Sequence, residues 1–200
     1  IAPQLPYEIR LAELPEQSIS EDQMGELIIR ALPMDHMIPC MAYSFAEKRS
    51  GKFNAARATE LGIPKEYWSI LQKGNTVEID GRRLTSEMVV GPPRKGLKVT
   101  YCTDSRPKQE LIEFCKDSDL LVCEGMYGDD ELLDKAIERK HMLFSEAAAI
   151  AKQGEVKELW LTHFSPSLRN PNDYLQIAKN IFPDTVIGND LLVKLLNSIK

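Results

Sequence analysis

The sequence predicts an α/β fold, on three observations. From residue 97 onward, apolar segments of strand length alternate with segments of helical period over short connections. Residues that ligate metals or titrate stand just beyond the ends of those segments, where reactive groups collect in α/β sheets. The 200 residues are enough to bury one core. In chain order, Glu8 to Glu13 alternates enough for a strand. Met24 to Leu32 reads as a second, ending at Pro33-Met34-Asp35-His36, and Met41 to Phe45 can pair with it. Phe53 to Leu61 is helix-like and Gly62-Ile63-Pro64 stops it. Tyr67 to Gln72 makes a short helix. Thr76 to Ile79 and Asp80 to Leu84 form a hairpin about Asp80-Gly81. Gly91 to Gly96 is a connector. The pattern then becomes strand 97–102, helix 108–116, strand 120–123, helices 129–139 and 145–153, strand 156–162 and helix 171–181. Residues 46–96 are short elements between turn formers, so they read as an insertion on a core built from 1–45 and 97–200.

Charge sets the insertion apart. Lys48 to Lys98 holds eleven basic residues against five acidic ones, a local +6 in a chain of net charge −5. A basic segment in an acidic protein suits contact with a polyanion, because neutralising phosphates needs local Lys and Arg and not a basic whole. No window approaches the roughly 18 apolar residues of a membrane span, and Ile1-Ala2-Pro3-Gln4 has neither the basic end nor the apolar stretch of a secretory signal. Cys40, Cys102, Cys115 and Cys123 include no C-x-x-C pair and sit in or beside apolar runs, which suits reduced core thiols and a cytoplasmic protein.

Four predicted strand exits carry chemistry. Strand 24–32 leads to His36, strand 97–102 to Asp104, strand 120–123 to Glu124 and strand 156–162 directly to His163; the remaining histidine, His141, follows a helix. Imidazole and carboxylate are zinc ligands, and a carboxylate can bridge two metals. At these long separations only the fold can bring the groups together. Each histidine taken singly also fits a hydrogen-bonded structural role, and Asp104 a helix cap.

Whole motifs carry a resemblance. Tyr101-Cys102-Thr103-Asp104-Ser105-Arg106-Pro107 resembles the "GDTRP" element of the ribonuclease Z family, and Leu159-Trp160-Leu161-Thr162-His163-Phe164-Ser165-Pro166 its "LTHFSP" element. Ala31 to Cys40 followed by Ala42-Tyr43 is similar to the family's histidine segment, Leu120 to Glu124 to its "HEAT" strand, and His141, Phe144 and Glu146-Ala147-Ala148 to its "HST" helix. The match runs collinearly over nearly the entire chain, arm included. It implies a metallo-β-lactamase-like αββα sandwich, here partial, with a protruding arm at 46–96. It implies two zinc ions, Zn2+, in a complete site: His36 on one, His163 on the other, Asp104 bridging. Glu124 and His141 then form a pair near the scissile phosphate, with His141 donating the proton to the leaving oxygen. The substrate implied is a tRNA precursor cut at its 3′ end, gripped by Lys48, Arg49, Lys52, Arg57, Lys65, Lys73, Arg82 and Arg83 of the arm, in a cytoplasmic homodimer.

The family's H-x-H-x-D-H motif is absent, and no histidine precedes His36. The expectation is a piece lacking an amino-terminal segment that supplies the other ligands. Each zinc would keep about two protein ligands, short of the three or four usual, so the chain alone should bind zinc weakly and cut no RNA. An uncovered apolar sheet face should favour dimerisation. Leu143 and Gly125-Met126 depart from the family's residues around the Glu-His pair, and Ile63 to Trp68 from its arm tip. Trp68 and Tyr67 could stack on RNA, though packing within the arm is the simpler role. Two other readings stay open: a metallo-β-lactamase-fold hydrolase of small phosphodiesters or sulfate esters, and a non-catalytic RNA-binding remnant.

Overall fold

The computed structural model describes residues 8–9, 11, 13–15 and 18–197. Among them the strands are β1 (Ser20–Met24), β2 (Leu27–Pro33), β3 (Met41–Glu47), β4 (Val77–Ile79), β5 (Arg82–Leu84), β6 (Lys98–Cys102), β7 (Leu120–Glu124), β8 (Leu159–Thr162) and β9 (Thr185–Ile187). The α-helices are α1 (Ala55–Glu60), α2 (Trp68–Gln72), α3 (Gln109–Cys115), α4 (Leu133–Arg139), α5 (Phe144–Gln153) and α6 (Leu175–Ile181).

The single strand expected over 24–32 is two. Gly25, at φ +60°, turns the chain, so Met24 ends β1 and pairs with Leu27 at the start of β2. The strand expected over Glu8–Glu13 lies partly outside the described residues, at Arg10 and Ala12, and its described positions carry no strand. The helices expected from Asp129 and Pro171 open instead with 3-10 turns at Asp130–Leu132 and Pro171–Asp173, and β8 begins three residues later than expected.

Seven strands form one sheet in the order β1-β2-β3-β6-β7-β8-β9. β1, β2, β3 and β6 pair antiparallel; β6 through β9 pair parallel. β2 and β6 flank β3 in opposite sense to it, so β2 runs in the same direction as β6, β7 and β8. The carboxyl ends of those four strands therefore share one edge, and every strand exit singled out in the sequence opens there.

The two faces of the sheet differ. Cys102, Cys123, Leu161 and Ile187 are cross-strand neighbours on one face and are buried with Leu111, Phe114, Phe144, Ala147, Ala151 and Ala178 of α3, α5 and α6. Removing this apolar surface from water is the main stabilising term of the core. The alternating positions point the other way: Tyr101 is 42% exposed, Phe45 38% and Val186 37%. Helices cover one face and leave the other open, the arrangement expected of a partial sandwich. The cysteines are free thiols, buried at 102, 115 and 123 and half-buried at 40. Burial pushes the Cys115 thiol up to about 12, which suppresses the reactive thiolate. No helix among the described residues is long and apolar enough to cross a membrane.

Residues 48–96 carry a core of their own: Ala58, Ile63, Leu71, Leu84 and Val89, with Phe53, Tyr67 and Trp68 packed against them. The β4–β5 hairpin turns at Asp80 and Gly81, both at positive φ (50° and 73°), as a two-residue turn between right-twisted strands requires. Gly81→Ala forces a Cβ into that region and is expected to destabilise the hairpin by about 1–2 kcal/mol. Amide exchange across 77–84 reads this, and unchanged rates would contradict the turn assignment.

Candidate metal and phosphodiester site

Each site residue is held by its strand exit. His36 follows β2 and is largely buried. Its Nδ1 lies 3.0 Å from the carbonyl oxygen of Lys140, the left-handed cap of α4 (φ 55°). With Nδ1 donating to that carbonyl, Nε2 is left as the free nitrogen, 3.9 Å from Asp104 Oδ2. Asp104 itself sits at φ 35°, accepts a 2.6 Å hydrogen bond from the Thr103 hydroxyl, and has Oδ1 2.9 Å from His163 Nε2. His163, immediately after β8, is also left-handed (φ 57°). Two non-glycine residues in this conformation, just beyond the carboxyl ends of β6 and β8, are strained positions of the kind found at functional sites.

Behind this group Glu124, the last residue of β7, is fully buried. Its carboxylate accepts the backbone N–H of Ser105 and that of Met142 (3.0 Å), and faces His141 Nδ1 at 3.1 and 3.2 Å. Burial pushes the Glu124 carboxyl up to about 7, against the pull of its two backbone donors. Burial likewise holds His141 below its ordinary value, and the neighbouring His36 adds to this. Both shifts favour the uncharged forms of the two side chains. The His141 ring is 4.9 Å from the His36 ring and 5.6 Å from the His163 ring, centroid to centroid.

The five residues singled out in the sequence therefore meet at one edge of the sheet. Asp104, His141 and His163 offer donor atoms that all lie within 4.8 Å of one another. That compact group takes in His141, where the resemblance implied His36 as the ligand. Zinc suits this donor set: imidazole nitrogen and carboxylate oxygen are its ligands, and His36 is oriented through its second nitrogen by a backbone carbonyl, as metal-bound histidines usually are. In the arm, Lys48, Lys52, Arg57, Lys65, Lys73, Arg82 and Arg83 are exposed and Arg49 is half-buried. Trp68 is spent on packing: Nε1 donates to the Ile63 carbonyl at 2.9 Å and its ring lies 5.2 Å from Phe53. Sequence reasoning missed one ion pair next to the site, Arg106 with Glu146. The available signals were a charged residue between Asp104 and Pro107, and a glutamate in the first turn of α5.

No family model matches the chain. It is 53% identical to the ribonuclease Z of Clostridium kluyveri over 197 residues, which is 98% of this chain and 65% of that protein. With the ribonuclease Z of Agathobacter rectalis it shares 51% identity over 190 residues, 95% of this chain and 62% of that protein. Among solved structures, a metallo-β-lactamase-fold protein of Bacillus subtilis superposes with a TM-score of 0.54 at 23% identity, over 89% of this chain and 52% of the other. Human tRNase Z, short form, also gives 0.54, at 20% identity over 88% of this chain and 46% of that one. The chain thus spans just under two thirds of the length of these curated relatives and about half of the solved structures. It is a ribonuclease Z homologue with a partial metallo-β-lactamase-like α/β fold.

Proposed function

We propose that this chain forms the larger part of a zinc-dependent endoribonuclease that removes the 3′ trailer from tRNA precursors. The observation that supports this most is the meeting of His36, Asp104, Glu124, His141 and His163 at the shared carboxyl edge of β2, β6, β7 and β8. In this reading His36, His163 and Asp104 would be the residues of this chain that hold zinc. Bound zinc would lower the pKa of water toward 7 and stabilise charge on the phosphoryl oxygens. Glu124 fixes the His141 ring through Nδ1, which leaves Nε2 to hold the proton that passes to the departing ribose oxygen. Three ligand side chains are too few for two zinc sites of three or four ligands each, so the chain by itself is expected to bind zinc weakly and to leave RNA uncut.

A cleavage assay on a tRNA precursor, with zinc supplied and His163→Ala as control, tests this. We expect no turnover above the control from the chain alone. Turnover should appear once the chain is fused to the part of a ribonuclease Z relative that it does not span; a fusion that folds and fails to cut would sink the nuclease reading. The exposed cations of the arm are the proposed grip on tRNA. Removing Arg82 and Arg83 together should weaken binding without regard to sequence and reduce the salt slope by about 1 for each phosphate left unneutralised. Anisotropy titrations over a range of salt read that slope, and an unchanged slope would place the tRNA elsewhere. The open face with Phe45, Tyr101 and Val186 supports a homodimer, and the buried free thiols a reducing cytoplasm. A monomer in light scattering would count against the dimer.

A further inference from the structure

We propose that Arg106 is a positioning residue for His141. Its guanidinium, 16% exposed, donates from Nη1 to the His141 carbonyl and to Glu146 Oε2 (2.8 Å), and from Nη2 to Glu146 Oε1. Glu146 Oε2 also accepts the Leu143 N–H at 2.9 Å, at the start of α5. At its own backbone, the Arg106 N–H donates to the Asp35 carbonyl at 2.9 Å. One side chain and its peptide thus tie together the loop of Asp104, the loop of His36 and the 141–143 segment.

The consequence falls on the His141 ring. Residue 141 is held at its N–H by the Ala136 carbonyl (2.9 Å), and the next N–H, of Met142, is held by Glu124. Arg106 supplies the remaining anchor, on the carbonyl between them. With the peptide fixed at all three points, the Cα–Cβ bond of His141 is aimed so that Nδ1 meets Glu124 and the ring stays beside His36 and His163. The task demands arginine. A planar fork of several donors can reach a carbonyl and both oxygens of a carboxylate at once, which a single ammonium on a flexible stem cannot. Its charge is matched by Glu146, so the anchor brings no net charge close to the metal-binding edge.

What His141 does rests on the nuclease reading; that Arg106 fixes its ring does not. The test is imidazole nitrogen NMR on the metal-free chain at one fixed pH, comparing the unaltered chain with Arg106→Lys and Glu146→Gln. The unaltered chain should show His141 as a single tautomer. In Arg106→Lys the His141 ring signals should broaden or split into both tautomers, with the His163 signals unmoved and unfolding still cooperative. Glu146→Gln keeps an acceptor for Leu143 and for one guanidinium N–H, so it should show the same change in smaller degree. Should Arg106→Lys fail to fold, Glu146→Gln decides alone. Unaltered His141 signals, or equal changes at all three histidines, would overturn the proposal, since the latter marks general loosening. An inactive fusion in the cleavage assay would sink the nuclease reading and leave this result standing.

Discussion

Asp104→Asn is expected to reduce the zinc affinity of the chain by about 100-fold or more while leaving its fold intact. The carboxylate is the group nearest both outer histidines, 2.9 Å from His163 and 3.9 Å from His36. It supplies the one formal negative charge that a dication would meet within the Asp104–His141–His163 group. An amide oxygen in its place is neutral and a poorer zinc ligand. Asparagine is also the residue, after glycine, that best tolerates the φ of 35° found here, so backbone strain hardly changes. Asp104→Ala would mix ligand loss with that strain, and the comparison separates the two. Competition against a chromophoric chelator measures the affinity, and far-UV circular dichroism checks the fold. An affinity within a few-fold of the unaltered chain would remove Asp104 from the proposed metal site.

How far the fold and the site could be read from residues alone depended on the range of the forces involved. The hairpin about Asp80-Gly81 was legible because two positive-φ residues are a local requirement. Residues 97–162 were legible because strand and helix periods follow each other without interruption. β1 was missed because Ser20-Glu21-Asp22-Gln23 is polar on both faces, as an outermost strand can be, and only its pairing with β2 makes it a strand. Met24 was absorbed into the wrong strand because Gly25 interrupts an otherwise apolar run. β9 has three residues, too few to show a period.

The site divides the same way. That His36, Asp104, Glu124 and His163 open on one edge follows from strand direction, which a reading of strand exits anticipates. The place of His141 depends on a left-handed Lys140, the Arg106–Glu146 fork and the buried acceptor Glu124, contacts across 17 to 40 residues that leave no local pattern. The resemblance, and not spacing, supplied the pairing of Glu124 with His141.

Glu124→Leu is expected to cost about 3–5 kcal/mol of folding stability in the metal-free chain, and Glu124→Gln about 1–3 kcal/mol. Two effects oppose each other at this side chain. The carboxyl is fully buried and its pKa is raised to about 7, so the charged form is held against desolvation, and removing it relieves that penalty. Yet the carboxylate is also the acceptor for Ser105 N–H, Met142 N–H and His141 Nδ1. Leucine fills much of the same space and accepts nothing, which strands two backbone donors and an imidazole nitrogen in a dry site; each orphaned donor costs about 1–3 kcal/mol. Three such losses outweigh the relief from a desolvation that two backbone hydrogen bonds offset only in part. Glutamine keeps one acceptor oxygen but turns an NH2 toward a second donor, so it should fall between the parent and leucine. Urea unfolding measures both, and the order matters more than either value. If leucine proved as stable as glutamate, desolvation would dominate the pocket, and the fold would be carrying Glu124 at a loss for the sake of the histidine in front of it.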